Sequence, residues 1–246
     1  MNTKNIVRIL LSLVLVFGFS SAWAAQTIKW SMQGDSLTLD PHAQNEGPTT
    51  QVSRQVYEAL VQRGLDMKIG PALATSWKAT DPNTWVFQLR KDAKFSDGSG
   101  MTSADVVFSI LRAKQRTSDF KEYISTVSNV EAVGDYAVKI TTSKPNPILL
   151  NQLSNIFIMS KAWSEKNFAL SPQNWDAGQE TFSATNALGT GPFKITLREP
   201  NTKTVFKRNK HWWGEMDDKG LTKIELLPIK NAATRVAALL SGEIDI

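Results

Sequence analysis

The sequence predicts an α/β fold of the mixed α+β kind, and three observations point to it. The strand-like segment "TIKWSM" (27–32) leads through a polar turn into "TQVSRQVYEAL" (50–60), where apolar residues recur at helical spacing. Two later segments, 84–90 and 136–142, alternate apolar and polar residues as half-buried antiparallel strands do. The segment between these two strands carries the start signal and the periodicity of a helix, so strands and helices are interleaved along the chain.

The apolar positions of these elements predict which side chains face the core. In the first predicted helix, Val52, Val56 and Leu60 fall on one face. The residues expected to point inward are Trp85, Phe87 and Leu89 in one strand and Tyr136, Val138 and Ile140 in the other.

The helix between the two strands has a defined start. Asp97 and Gly98 form a turn, and Thr102 is placed to cap a helix with Asp105 three residues later. The apolar face of this helix is expected to consist of Val106, Val107, Ile110 and Leu111. This cap predicts structure and no chemistry.

The second half of the chain continues the same mixture. A helix is predicted over 146–156, a short buried strand over 157–161, an antiparallel pair over 191–199 and 203–209, a strand over 221–229 and a last helix over 231–242. Gly242 suits the left-handed position that ends a helix, and residues 243–246 then alternate like the beginning of a strand.

The first residues have the pattern of a secretory signal peptide. Lys4 and Arg8 precede the apolar run 9–19, and Ala22 and Ala24 supply the small residues of a cleavage site. The run is too short for a membrane span, which argues against an uncleaved anchor. We therefore expect residues 1–24 to be removed and the mature chain to be exported.

The composition indicates where the protein is located and argues against one class of partner. The chain has no cysteine, so it cannot carry a lipid on an N-terminal cysteine, and it is expected to be a soluble periplasmic protein rather than a lipoprotein. Cleavage removes two cations, which lowers the formal charge from +5 to +3. The remaining charges of both signs are mixed along the chain, which argues against a nucleic-acid partner.

The search for catalytic or metal-binding motifs gives negative results. The two histidines, His42 and His211, are isolated, and we expect a surface or capping role for the first and partial burial for the second. "GTGPF" contains Gly189 and Gly191 but lacks the rest of a dinucleotide-binding motif, so it is interpreted as structural. No catalytic residue, cofactor or metal is therefore predicted.

Six motifs in a fixed order resemble a known family. They are "LDPH" (39–42), "VYEALV" (56–61), the long segment 70–112, "GTGPFKI" (189–195), "FKRNKHWWG" (206–214) and "RVAALLSGEIDI" (235–246). Together they resemble the family 5 bacterial extracellular solute-binding proteins, the peptide, opine and nickel binders of ABC importers. The similarity covers residues 27–246.

The resemblance implies a lobe of the type II periplasmic binding protein kind and no enzymatic activity. It implies a substrate-binding component for di- or oligopeptides that is monomeric at full length and delivers its solute to a membrane permease. Family members continue past "SGEID" through a hinge into a second lobe. Residues 25–246 are therefore expected to be the first lobe alone, truncated before the second, with Ile244 and Ile246 lacking neighbours and with weak binding by the isolated chain.

The resemblance also suggests solute contacts in the turn after the first strand. Gln33, Asp35 and Ser36 match a position where relatives present backbone and an acidic side chain to the ligand, and an ordinary turn is the alternative. If the turn faces the solute, Asp35→Ala should weaken binding and leave the melting temperature nearly unchanged.

Further candidate contacts lie near the capped helix and the segment 157–161. Relatives use an aromatic wall at the position of Phe120 and Tyr123, and core packing is the alternative for Phe120. Asn155 and Phe157 begin a segment that runs toward the cleft in relatives, and ordinary strand packing is the alternative there.

Two other classes of function remain open at this point, together with a third possibility, a partial or decayed reading frame with no present activity. The tryptophan content allows an oligosaccharide binder of the same family, because indole rings stack on sugars, and opine and nickel binders also remain. A secreted hydrolase using carboxylates such as Asp97 and Glu122 is a more distant alternative. A test for turnover separates the classes, because a binding protein returns its solute unchanged.

Overall fold

The computed structural model describes residues 26–216 and 220–246. The predicted signal peptide, 1–24, lies outside these residues. Within them the chain forms two four-stranded sheets, a two-stranded hairpin and several short helices. None of the helices in the described ranges is long and apolar enough to cross a membrane.

The first sheet joins the two ends of the described chain. Its strand order is β1-β10-β9-β8, with β1 parallel to β10 and the other neighbours antiparallel. The bounds are β1 Gln26–Trp30, β8 Phe193–Glu199, β9 Lys203–Arg208 and β10 Leu221–Leu226. These strands confirm the predicted first strand, the antiparallel pair and the strand that begins at residue 221.

The second sheet is antiparallel and is built from the middle of the chain. Its order is β4-β5-β7-β6, and a separate hairpin pairs β2 with β3. The bounds are β2 Val61–Arg63, β3 Ile69–Pro71, β4 Ala74–Asp81, β5 Thr84–Leu89, β6 Val127–Ala132 and β7 Ala137–Thr142. The two strands predicted from alternation are β5 and β7, which are direct neighbours.

Several helices begin at residues whose side chains cap them. The side chains of Glu46 and Asn231 accept hydrogen bonds from backbone N–H groups of the helices that they precede, and Asp105 accepts one from the backbone N–H of Thr102 at 2.8 Å. The bounds are α1 Gly47–Val56, α2 Ser103–Ala113, α3 Leu149–Leu153, α4 Lys161–Lys166, α5 Phe182–Thr185 and α6 Ala232–Leu240, with a 3-10 helix over Lys121–Ile124.

Each sheet covers its own apolar core. The larger core lies against the second sheet and contains Phe87 and Val138 together with Ile110 of α2. The smaller core lies against the first sheet and contains Val52 of α1 and Phe206. Each fully buried side chain of this kind stabilises the fold by roughly 1.5–3 kcal/mol. Each sheet is therefore stabilised by a core of its own.

Several sequence predictions fail in the structure. The first helix was expected to carry Leu60 but ends at Val56. Residues 157–161 form no strand, because Phe157 makes only an isolated bridge to Ala59. Leu111 is 49% exposed, since it falls outside the face of α2 that packs on the sheet. Ile244 does not lack neighbours: it is 3% exposed. The backbone N–H of Asp245 donates to the carbonyl of Lys29 at 2.8 Å, so residues next to Ile244 pair with β1.

Gly189 and Gly191 have the structural role that the sequence predicts. A Cβ atom on Gly189 would lie 2.1 Å from the carbonyl oxygen of Val56, and one on Gly191 would lie 2.7 Å from it. The backbone N–H of Gly191 donates to that oxygen at 2.8 Å. Only glycine allows this approach, so the segment closes the C-terminal end of α1.

Candidate functional site

A cavity of about 650 Å³ opens between α1, the β2–β3 hairpin, the 3-10 helix and α3. Among the described residues, its lining is rich in hydrogen-bond donors and contains no aspartate or glutamate. The lining residues are Arg54, Arg63, Gly64, Met67, Tyr123, Ile148, Asn151, Gln152, Ser154 and Asn155. We call this space the arginine cavity. Its size is within the range of small-molecule binding sites.

Arg54 is held over the edge of the arginine cavity by two contacts. Its Nη2 donates to Asn155 Oδ1 at 3.2 Å, and its guanidinium lies 5.8 Å from the centroid of the Phe157 ring. Burial and then the positive charge of Arg63 lower the pKa of Arg54 from its usual value. The second cause means that the two cations repel each other across the cavity.

Arg63 has a matching arrangement on β2. Its Nη2 donates to Asn151 Oδ1 at 3.1 Å. Across residues 26–216 and 220–246, neither Arg54 nor Arg63 has a carboxylate within ion-pair distance. Asp66, an acid of the same hairpin, pairs with Lys68 at 3.2 Å instead. Within the described part of the chain, both guanidiniums therefore hydrogen-bond only to neutral side chains.

The structure brings two of the sequence-predicted contacts together in this cavity. Tyr123 and Asn155 both line it, and Asn45 Nδ2 donates to Tyr123 Oη at 3.4 Å. Phe157 lines the adjoining cavity but is only 2% exposed, and Phe120 is equally buried and stacks on Tyr123 with ring centroids 5.9 Å apart. The burial of Phe120 agrees with core packing, the alternative given for it. The alternative for Phe157 was strand packing, and Phe157 is buried but lies in no strand.

The turn after β1 lies elsewhere. Asp35 and Ser36 line a different cavity of about 520 Å³, and Gln33 is exposed and lines neither cavity. Both oxygens of Asp35 accept from Arg198 Nη1 at 2.8 Å, and the Asp35 side chain is 4% exposed. This carboxylate is half of a buried ion pair, so Asp35→Ala should lower the melting temperature, contrary to the expectation from the sequence.

A second, smaller cavity of about 190 Å³ adjoins the arginine cavity and shares Arg54 with it. Glu58 lines it and accepts from the indole N–H groups of Trp212 at 3.2 Å and Trp213 at 3.0 Å. Burial raises the pKa of Glu58, and these indole hydrogen bonds oppose the shift. The Arg90 guanidinium lies 3.2 Å from the centroid of Trp213. These contacts tie the segment after β9 to the segment after α1, through Glu58, and to the end of β5, through Arg90.

A buried polar network lies behind the site and overturns the prediction for His42. His42 is fully buried and not on the surface, and its Nε2 lies 2.9 Å from the carbonyl oxygen of Phe157. Its Nδ1 lies 3.1 Å from Arg112 Nη1, and the Arg112 guanidinium also binds both oxygens of Asp40. Burial and the Arg112 charge lower the pKa of His42 to about 3. Burial alone would raise the pKa of Asp40, but Arg112 holds it at about 2.

Sequence reasoning missed the residues that give the cavity its charge. Arg54 and Arg63 looked like ordinary surface cations, and Asn151 lay within the predicted helix 146–156, where only Asn155 was a candidate contact. The one available signal was Arg54 on the polar face of a helix whose other face carries Val52 and Val56. Many surface helices carry an arginine in this way. Arg54, Arg63 and Asn151 are therefore identified only by their positions around one cavity.

Comparisons with known proteins agree with this architecture. The family described as bacterial extracellular solute-binding proteins, family 5 Middle, matches residues 68–246. The chain is 27% identical to the periplasmic murein peptide-binding protein MppA of Escherichia coli K12, covering 99% of this chain and 49% of that protein. It is 30% identical to the probable D,D-dipeptide-binding periplasmic protein DdpA of the same strain, covering 96% and 46%.

A solved structure gives the same result. The binding protein AgaA of A. tumefaciens R10, in complex with agropinic acid, superposes with a TM-score of 0.79 at 28% identity, covering 89% of this chain and 43% of that one. The chain spans about half the length of the curated relatives that it matches. The match over 68–246 covers most of the chain and confirms the resemblance seen in the six motifs. The chain therefore belongs to the family 5 bacterial extracellular solute-binding proteins.

Proposed function

We propose that this chain is a solute-binding lobe of the substrate-binding component of an ABC importer, with peptides as its solutes. The observation that carries the proposal is an open cavity of about 650 Å³, lined by Tyr123 and Asn155, in a member of a family of transport binding proteins. Relatives named for murein peptides and for D,D-dipeptides support peptides as the solute class.

The proposal also covers export of the protein and its interaction with a membrane permease. Residues 1–24 direct export, and residues 25–246 form the first of two lobes that enclose the solute. Closure of the lobes then presents the loaded protein to a membrane permease, and the free energy of closure comes from solute contacts that both lobes make. One lobe supplies only its share of these contacts, so the chain alone binds weakly.

The test is direct detection of binding by the full chain. Saturation-transfer NMR suits weak complexes, and the solutes are di- to pentapeptides, an opine, oligosaccharides and nickel. We expect transfer to peptides, a reduced signal for Asn155→Ala and an unchanged signal for Asn129→Ala, an exposed asparagine outside the cavity. Absence of transfer to every solute refutes the proposal, and conversion of a peptide to products favours the hydrolase.

A second candidate solute is an opine-like acid. It is supported by the similarity to AgaA, whose structure contains agropinic acid, and by the cationic lining of the arginine cavity. Transfer to opines without transfer to peptides favours this candidate.

A further inference from the structure

The arginine cavity contains two cations that no acid of the described chain neutralises. The Arg54 and Arg63 guanidiniums each donate to a neutral asparagine oxygen and lie beyond ion-pair distance of every carboxylate in residues 26–216 and 220–246. A carboxylate adds Coulombic attraction and a bidentate geometry that an amide oxygen lacks, so each guanidinium can bind an acid more strongly than its present partner.

The neutral groups around the two arginines are also oriented as donors. Tyr123 Oη accepts from Asn45 Nδ2 at 3.4 Å, which leaves its own O–H to donate. Gln152 Oε1 accepts from Asn146 Nδ2 at 2.7 Å, which leaves the Gln152 amide N–H groups to donate. Two guanidiniums, a phenol and an amide therefore offer hydrogen atoms to one space.

We propose that the arginine cavity selects anionic solutes and binds a carboxylate of the solute between Arg54 and Arg63. The inference rests on the proposed function and adds the charge of the solute to it. A carboxylate accepts from several donors at once and relieves the repulsion between the two cations. A solute with an amide in its place forms weaker hydrogen bonds and leaves the repulsion in place.

The test compares peptides that differ only in charge. The full chain is titrated with Ala-Glu-Ala as the free acid and with Ala-Gln-Ala as the C-terminal amide, which has no carboxylate. We expect the acid to bind roughly tenfold more tightly, and we expect high salt to reduce this ratio. The opposite preference, or equal affinity, overturns the inference and leaves the proposed function standing.

Variants locate the preference in the cavity. Arg54→Gln and Arg63→Gln should each reduce the ratio of the two affinities several-fold. Arg116→Gln removes the same charge at an exposed position outside the cavity and should keep the full ratio. Equal melting temperatures of the three variants show that each is folded. A ratio that survives both cavity substitutions overturns the inference, and failure of both peptides to bind overturns the proposed function with it.

Discussion

Replacing Asp40 by asparagine should be among the most damaging single changes in this chain. The Asp40 carboxylate is fully buried and accepts from Arg112 Nη1 and Nη2 at 2.7 and 2.6 Å. It also accepts from the backbone N–H groups of His42 and Gln173, both at 3.0 Å, and from Ser183 Oγ at 2.9 Å. Asp40→Asn removes the charge and places an N–H₂ group against some of these donors.

The magnitude follows from what is left around Arg112. Its remaining partners are the carbonyl oxygens of Ala169 and Ser171, at 3.0 and 2.9 Å, and the neutral ring of His42. An uncompensated buried charge costs about 3–5 kcal/mol, against a total stability of about 5–15 kcal/mol. For a domain of this size the melting temperature should fall by roughly 6–20 °C.

Urea denaturation followed by circular dichroism measures this loss. Asp119→Asn changes an exposed carboxyl and should alter the free energy of unfolding by less than about 0.5 kcal/mol. The double variant Asp40→Asn, Arg112→Met should be more stable than Asp40→Asn alone, because it removes the unpaired cation. A loss below about 1 kcal/mol for Asp40→Asn refutes the reasoning.

Three further predictions concern stability. The pKa of His42 falls from 6.5 to about 3 on folding, so its contribution is present above pH 6.5 and is lost as the pH falls toward 3. The free energy of unfolding should fall by about 2 kcal/mol between pH 7 and pH 5 because of this residue. His42→Gln should reduce that pH dependence, which urea denaturation at the two pH values measures. Glu58→Ala leaves two indole N–H groups without an acceptor and should cost about 2 kcal/mol, with a change in tryptophan fluorescence. Asp35→Ala leaves Arg198 unpaired and should lower the free energy of unfolding by about 3 kcal/mol.

Each of these three predictions has a control. A slope in His42→Gln as steep as in the unaltered chain contradicts the assignment of the proton to this residue. Glu165→Ala truncates an exposed glutamate and should be nearly neutral beside Glu58→Ala. Asp92→Ala removes an ion pair whose carboxylate is 63% exposed, so a loss equal to that of Asp35→Ala shows that burial is not the deciding factor.

The sequence by itself determined the features that depend on neighbours along the chain. Thr102 and Asp105 begin α2 because a capping box joins residues three apart, and the alternation around Phe87 places that residue in the core because successive strand residues face opposite sides. Gly242 has φ +74°, the left-handed conformation expected at the end of α6.

Only the tertiary structure decided the features that join distant parts of the chain. The parallel pairing of β1 with β10, the burial of His42 against Arg112 and the approach of Arg54 to Asn155 each depend on segments brought together by the fold. A polar side chain has the same local signature whether it faces solvent, a buried partner or a cavity. Its role is set by the charges and donors that folding places beside it, and those are encoded elsewhere in the chain.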